Sequence, residues 1–351
     1  MIKLYKMKTY NILTASALLM LGMLAVSCEN GEIDFPDYEK GVTVYFPTQN
    51  PVRTLVMGED EYDVTLDNAH KCKIGATMGG AYNGRNINIE VAVDNSLCNN
   101  LYFSDGETPV LPMPSNYYTL GSNTIKFNGD VKGYVDVQFT DAFFNDPKAL
   151  TNNYVIPLLM KSQTGADSIL SGKAMVAGET PQLTNAPYWD VQPKNYVLYL
   201  VKYICKYDAK YIRRGIDEIK TGGSTYKNVR HAGRLDKDEI FTGITTLSLN
   251  SIKYPVTYTV NKKNYNCDLI LSFDDKDNCT IKSGTNGVKV SGTGAYKVKS
   301  EKKAWGNKDR DAMYLDYKVE FSDASFSTRD TLIWQRRGVK SQEFATVYKQ
   351  K

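Results

Sequence analysis

The stretch at residues 117–139, YYTLGSNTIKFNGDVKGYVDVQF, carries the pattern that decides the fold of this chain. Short runs that favour β structure predict strands at residues 117–120, 124–127 and 134–139. The turn residues Asn128-Gly129-Asp130 separate the second run from the third. The stretch therefore predicts consecutive strands that each bury one face.

The same pattern continues on both sides of this stretch. Residues 42–46, 62–66 and 87–93 predict earlier strands, and the apolar run 154–160 predicts a later one. Pro157 in that run requires a sheet edge or a bulge, because proline has no N–H to donate to a neighbouring strand. About seven short strands in about 120 residues are typical of an immunoglobulin-like β-sandwich, which we predict for residues 41–178.

Residues 179–194 are predicted to form a linker, because Pro181, Pro187 and Pro193 interrupt any regular element there. The linker contains an aromatic pair, Tyr188 and Trp189. Trp189 either packs as a wedge between two domains or contacts a ligand, and both interpretations stay open.

Residues 195–351 predict a second all-β domain. It opens with residues 196–205, which are apolar on both faces and therefore predict a covered strand. A hairpin is predicted at Gly292-Thr293-Gly294, and further strands are predicted at residues 244–250, 254–260, 268–273, 288–291, 296–300, 313–321 and 331–336. Consecutive hairpins of this number close most simply into an antiparallel β-barrel.

Residues 1–27 have the features of a secretory signal peptide: basic residues at the start, followed by an apolar run too short to span a bilayer. The small residues before Cys28 resemble the lipobox of bacterial lipoproteins, in which this cysteine is lipidated and becomes the N-terminus. Residues 28–40 predict an acidic tether, and in Bacteroidetes such acidic residues resemble the signal for the outer face of the outer membrane. The alternative is an ordinary signal peptide that ends near a cysteine.

Composition excludes several classes of function. The formal net charge is +4 and the basic residues are dispersed, so no basic stripe indicates nucleic-acid binding. The two histidines, His70 and His231, are far apart and lack neighbours at metal-ligand spacing. We therefore expect no metal, no cofactor and no histidine-based catalysis.

The cysteines leave their redox state open. Besides Cys28 the chain has an odd number of cysteines, so at least one is unpaired, and Cys205 within an apolar run is the best candidate. Disulfides between Cys72 and Cys98 and between Cys267 and Cys279 would stay within one domain. Buried free thiols are equally compatible with the sequence.

Two stretches carry a family resemblance. Residues 117–139, followed by NNYVIPLLMKSQTGADSILSGKA at residues 152–174, resemble the N-terminal immunoglobulin-like domain of Bacteroidetes lipoproteins encoded with Sus-type glycan-uptake systems. The same domain precedes the catalytic module of some endo-β-N-acetylglucosaminidases. Residues 207–215, 292–294 and 313–317 resemble the lipocalin-like β-barrel domain that commonly accompanies it.

This resemblance implies an outer-membrane lipoprotein that binds glycan beside a Sus-type transporter and its partner lipoproteins, with host N-glycans as the first class of glycan to test. The catalytic run of alternating aspartates ending in glutamate, present in the enzyme relatives, does not occur here. We therefore expect no enzymatic activity. The alternatives are a glycoside hydrolase with an unrecognised carboxylate pair and a structural lipoprotein without sugar affinity.

Trp305 is the first candidate for sugar contact, because it lies in a highly polar segment between two predicted strands. Asn307, Asp309 and Arg310 would supply hydrogen bonds to the sugar, with Tyr188 and Trp189 as the next aromatic candidates. Capping of a barrel end by Trp305 is the competing interpretation. Trp334 lies on a predicted strand and is assigned to the core, and residues 274–278 are assigned to a solvated turn rather than a calcium loop.

Overall fold

The computed structural model describes residues 37–350, and the predicted signal peptide, Cys28 and most of the tether lie outside this range. The described part of the chain is built almost wholly from strands. Its two helices, α1 (Thr65–Asn68) and α2 (Asp141–Phe144), have one turn each. Within residues 37–350 no helix has the length and apolar character needed to cross a membrane.

The strands are numbered in chain order. They are β1 (Thr43–Tyr45), β2 (Pro51–Val56), β3 (Lys71–Gly79), β4 (Asn88–Val93), β5 (Leu101–Phe103), β6 (Leu111–Pro112), β7 (Tyr118–Leu120), β8 (Thr124–Lys126), β9 (Lys132–Phe139), β10 (Tyr154–Thr164), β11 (Ser168–Ile169), β12 (Lys173–Ala174), β13 (Trp189–Val191), β14 (Tyr196–Ile204), β15 (Lys210–Thr221), β16 (Ser224–Arg230), β17 (Glu239–Phe241), β18 (Thr245–Ser248), β19 (Ser251–Val260), β20 (Lys263–Phe273), β21 (Asn278–Ser283), β22 (Lys289–Trp305), β23 (Lys308–Glu320), β24 (Ala324–Arg336), β25 (Gln342–Glu343) and β26 (Thr346–Tyr348). Short 3₁₀ helices lie at Asn95–Cys98, Pro147–Leu150, Ala186–Tyr188 and Leu235–Lys237.

The first domain is one curled sheet with the strand order β11-β1-β3-β9-β8-β4-β10-β14-β2-β25, to which β6 and β7 add at β10 and β9. The alternating residues of β3, β4 and β9 send one face into a common core that includes Ile74, Ile89 and Val137. The strands predicted around residues 87–93 and 134–139 are therefore confirmed with the buried faces that their alternation indicates.

The strand β14 (Tyr196–Ile204) corrects the predicted start of the second domain. It pairs antiparallel with β10 and parallel with β2, so it lies inside the first sheet. Its two apolar faces have separate destinations: Val197 and Val201 join the main core, whereas Leu198 and Leu200 join a second cluster on the opposite face. The prediction of a covered strand is confirmed, but the linker at residues 179–194 does not divide the strands of one sheet from those of the other.

The second sheet has the order β16-β15-β24-β23-β22-β21-β20-β19-β18, with β17 paired to β15. From β18 to β24 each strand pairs with the next one along the chain, which confirms the predicted antiparallel meander. Inward-facing residues, Trp334 among them, form a core of their own, as predicted for that tryptophan. The all-β fold with two domains is thus confirmed, but the chain does not end in the second domain, because β25 returns to pair with β2 and β26 pairs with β5.

Two local predictions are wrong. Residues 62–66 do not form a strand; Asp63 accepts hydrogen bonds from the N–H and Oγ1 of Thr65, and this turn leads into α1. Gly292-Thr293-Gly294 is not a hairpin but the interior of β22, where Gly292 pairs with Tyr317 and Gly294 with Leu315. At residues 62–66 a local turn replaced the predicted strand, whereas at residues 292–294 pairing with β23 replaced the predicted hairpin.

The cysteines of residues 37–350 are all buried free thiols, so neither predicted disulfide forms and Cys205 is unpaired as expected. Burial raises the pKa of Cys72, Cys98 and Cys279 to about 12. In the sheet Cys279 pairs with Phe273 and Cys267 pairs with Val256, so of the two open alternatives the structure has the free thiols.

Candidate functional site

A cavity of about 620 Å³ opens on the first domain, and we refer to it as the Tyr62 cavity. Most of its wall comes from strand β2, the loop and turn at residues 60–64, and the C-terminal segment 339–342, and Asp67 and Tyr199 complete it. Its volume falls within the range of about 300–1,000 Å³ that is usual for small-molecule sites. The cavity therefore has the size to hold a sugar-sized ligand.

Tyr62 is the exposed aromatic residue of this cavity, at 77% exposure, whereas Tyr199 in the same wall is half-buried. Aromatic rings bind sugars by covering the C–H face of a sugar ring, while nearby polar groups bond its hydroxyls. Asp60, Asp63 and Gln342 line the same cavity and supply such polar groups. The cavity thus combines one open aromatic side chain with several hydrogen-bonding side chains.

Arg53 and Asp67 form a fixed polar pair in the cavity wall. Asp67 is 1% exposed and accepts hydrogen bonds from the Val56 N–H at 2.9 Å and from the Arg53 guanidinium. Burial raises the pKa of Asp67, although both of these hydrogen bonds oppose the change. Because Asp67 holds the guanidinium in place, the remaining N–H groups of Arg53 are oriented donors for a ligand.

Two smaller cavities adjoin the Tyr62 cavity. One has a volume of about 350 Å³ and shares Pro51 and Tyr199 with it, and we refer to it as the Tyr134 cavity. The other has a volume of about 210 Å³ and shares Asp60 with it. Shared wall residues therefore connect the three cavities from the first sheet to the β22–β23 hairpin.

The predicted residues of the β22–β23 hairpin divide between two positions. Asp309 and Arg310 line the 210 Å³ cavity, where the Arg310 guanidinium lies 5.0 Å from the centre of the Trp334 ring. Trp305 is half-buried at the end of β22, and Asn307 occupies the turn with a φ of 56°. The structure thus joins Asp309 and Arg310 to the cavity system and leaves Trp305 and Asn307 outside its walls.

The linker aromatics lie outside the walls of these three cavities. The Trp189 indole N–H donates to the Gln182 carbonyl at 3.1 Å, and the Tyr188 hydroxyl accepts from Gln350 at 2.9 Å. Trp189 also pairs through its backbone with Ala174, next to the linker. These contacts hold both rings against neighbouring chain segments.

Sequence reasoning missed Tyr62 because the alternation of Tyr62, Val64 and Leu66 was assigned to a strand. A usable signal was present: residues 58–63 read GEDEYD, a single aromatic residue in a strongly polar run, which is the same criterion that selected Trp305. The Arg53–Asp67 pair left no such signal, because the fold brings it together from β2 and α1.

Within residues 37–350 there is no cluster of three or more histidine, cysteine or acidic residues suited to hold a metal ion. Asp274 instead accepts hydrogen bonds from the N–H groups of Lys276 and Asn278, which confirms the turn predicted there. His70 packs against the Phe144 ring.

Comparison with known proteins gives the relationships of the chain. A family model described as an N-terminal domain matches residues 38–167, and "Domain of unknown function (DUF5627)" matches residues 206–338. A solved structure of unknown function from Bacteroides ovatus is 42% identical with a TM-score of 0.83, and the match covers 90% of this chain and 100% of that chain.

Two further structures are each 12% identical. A Bacteroides ovatus multidomain protein including DUF1735 has a TM-score of 0.39 over 85% of this chain and 96% of that one. An auxiliary nutrient binding protein from Bacteroides thetaiotaomicron has a TM-score of 0.34 over 80% of this chain and 90% of that one. No curated protein matches the chain. The chain belongs to the family of two-domain β proteins represented by the 42% identical Bacteroides ovatus structure.

Proposed function

We propose that this protein is a surface lipoprotein that binds glycan without cleaving it, and that the Tyr62 cavity is its binding site. The observation that carries the proposal is the open ring of Tyr62 beside the oriented Arg53–Asp67 pair in one cavity. An aromatic face next to fixed hydrogen-bonding groups is the arrangement by which proteins recognise sugar rings.

Two carboxylates of the cavity, Asp67 and Asp63, favour binding rather than hydrolysis. A glycosidase needs a carboxylic acid with a raised pKa that is free to protonate the glycosidic oxygen. Asp67 has a raised pKa because it is buried, but Arg53 and the Val56 N–H occupy its two oxygens. Hydrogen bonds from Thr65 lower the pKa of Asp63, which opposes a role as the acid.

The placement in the cell rests on the sequence. Cys28 carries the lipid anchor in this proposal, the protein faces the cell exterior at the outer membrane, and a Sus-type transporter with its lipoproteins receives the glycan. Replacing Cys28→Ala should release the protein from the membrane fraction or leave it as the precursor. Fractionation unchanged from wild type would remove the anchor from the proposal.

The binding test uses a soluble form of residues 33–351 on a glycan array that includes host N-glycans, followed by isothermal titration of the best ligand. Covering one face of Tyr62 removes about a third of the roughly 150–250 Å² that an aromatic residue presents. At about 25 cal/mol per Å² this corresponds to on the order of 1–2 kcal/mol. Tyr62→Ala should therefore weaken affinity about 5- to 30-fold.

Tyr226→Ala is the matched control, because Tyr226 is 48% exposed but lies on β16 of the second domain. Its affinity should equal that of wild type. Unchanged affinity in a folded Tyr62→Ala variant would exclude the Tyr62 cavity as the site. Failure of wild type across the array would favour a structural lipoprotein, and appearance of cleaved glycan would favour a hydrolase.

A further inference from the structure

The Tyr134 cavity lies at the seam where the curled first sheet brings β3 close to β14 and to the loop before β2. The Tyr199 hydroxyl spans this seam and donates to the Lys73 carbonyl at 3.2 Å. Thr48 and Pro51 form the side of the cavity that the loop contributes, and Lys73, Gly75 and Tyr134 contribute strand positions. Its volume of about 350 Å³ also falls within the usual range for small-molecule sites.

Tyr134 is held as an open aromatic surface in this cavity. It pairs directly with Gly75 on the neighbouring strand, and its ring occupies the space where a Gly75 side chain would begin: a Cβ there would lie 2.8 Å from the ring. The glycine thus lets the ring rest against the backbone of β3. Tyr134 is nevertheless 49% exposed, and the Lys73 ammonium lies 6.0 Å from the centre of its ring.

The Tyr134 cavity and the Tyr62 cavity meet at Pro51 and Tyr199, which line both. Each cavity separately has an exposed tyrosine and flanking polar side chains: Arg53 and Gln342 beside Tyr62, and Lys73 and Lys132 beside Tyr134. A ligand that filled only one cavity would leave the second aromatic surface uncovered next to it.

We infer that the ligand is an oligosaccharide chain that occupies both cavities at once, with Tyr62 and Tyr134 stacking on different sugar units. This inference rests on the proposed function and adds the class of glycan: a chain of several sugars rather than a mono- or disaccharide. Tyr199 and Pro51 form the passage along which the chain runs from one subsite to the other.

The test is a length series of one glycan measured by isothermal titration: chitobiose, the N-glycan core pentasaccharide and a full-size high-mannose N-glycan. Wild type should bind the longest member at least about tenfold more tightly than the shortest, since a second stacked sugar adds binding free energy. Tyr134→Ala should abolish this gain and leave the affinity for the shortest binding member unchanged. Tyr134→Phe keeps the ring and should preserve the gain.

A second variant separates binding from folding, because Tyr134 also packs on Gly75. Thr48→Arg places a large side chain in the Tyr134 cavity from a loop position and should reduce the length dependence with little change in melting temperature. Equal affinity of wild type for all members that bind would overturn the inference and leave the proposed function intact. Absence of binding by every member would overturn the inference, and only failure across the whole glycan array would also overturn the proposed function.

Discussion

The buried charge cluster of the second domain gives a quantitative test of the fold. The carboxylate of Asp330 lies inside the second sheet and is completely buried. Its Oδ2 accepts hydrogen bonds from the hydroxyls of Tyr254 at 2.8 Å and Tyr317 at 2.7 Å. The carboxylate also forms ion pairs with Arg213 through Oδ2 and with Arg230 through Oδ1. Gly215 leaves room for this arrangement, because a Cβ there would collide with the Asp330 carboxylate and with Arg230.

Replacing Asp330→Asn removes the negative charge while nearly keeping the shape. The buried guanidinium groups of Arg213 and Arg230 then lose the negative charge that pairs with them. Removing one partner of a buried ion pair costs about 3–5 kcal/mol. We expect the lower end, because Arg230 keeps its second partner, Asp217. A loss of about 3 kcal/mol should lower the melting temperature of a domain of this size by roughly 6–12 °C.

The pH dependence of unfolding identifies the mechanism. Burial alone would raise the pKa of Asp330, but Arg213, Arg230 and the two tyrosine hydroxyls hold it below its ordinary value of 3.8. A carboxylate with a lowered pKa stabilises the folded state above the unfolded pKa, and this contribution disappears as the pH falls through the folded pKa. The difference in free energy of unfolding between wild type and the Asp330→Asn variant, measured in urea, should therefore be largest at pH 7 and should decrease below about pH 4.

Asp323→Asn provides the matched control, because Asp323 also pairs with a base, Lys263, but its side chain is half exposed. Exposed pairs of this kind contribute about 0–1 kcal/mol. If both variants lost the same stability, or if the Asp330→Asn deficit did not change with pH, the cluster would not stabilise the fold in the way described.

Three further predictions follow from burial and exposure. The buried thiols should resist iodoacetamide in the native soluble form at pH 8 and react fully in urea, because burial raises the thiol pKa values. Fast labelling of native Cys205, whose pKa is raised to about 11, would contradict this prediction. Brief proteolysis should cleave the exposed segment at residues 175–180. The two fragments should still co-elute on gel filtration, because β14 remains paired between β10 and β2, and separate elution would contradict that pairing. Trp305→Ala should weaken glycan titration less than Tyr62→Ala, since Trp305 lies outside the cavity walls, and an equal or larger loss would move the site to the hairpin.

The parts of the fold that sequence predicts well are those with local patterns. Strands such as β9 alternate cleanly because one face meets a core, and the meander from β18 to β24 follows chain order, so neighbours in sequence are neighbours in the sheet. Strand β2 escaped prediction for the opposite reason. It starts at a proline, buries only its last three residues as a continuous run, and gains its place by parallel pairing with β14, about 150 residues away.

The candidate site could not be predicted because its walls have no common local pattern. The Tyr62 cavity combines β2, the turn at residues 60–64 and residues 339–342, and the last of these return to the first domain only after the whole second sheet is built. Polar composition around an aromatic residue identified candidate positions. Whether such a position lines a cavity depends on these long-range pairings, which explains why the criterion selected Trp305 and the structure favours Tyr62.

Arg337 explains why a cavity on the first domain depends on the second. Directly after β24, its buried guanidinium donates to the carbonyls of Met57 at 3.0 Å and Glu59 at 3.1 Å, at the start of the loop that carries Asp60 and Tyr62. The same group donates to the Cys205 and Asp208 carbonyls, where the chain passes from β14 into the second sheet. Two residues beyond Arg337 begins the segment 339–342, the opposite wall of the cavity. One side chain therefore links the tyrosine loop, the domain junction and the opposite wall, so the shape of the Tyr62 cavity depends on both domains.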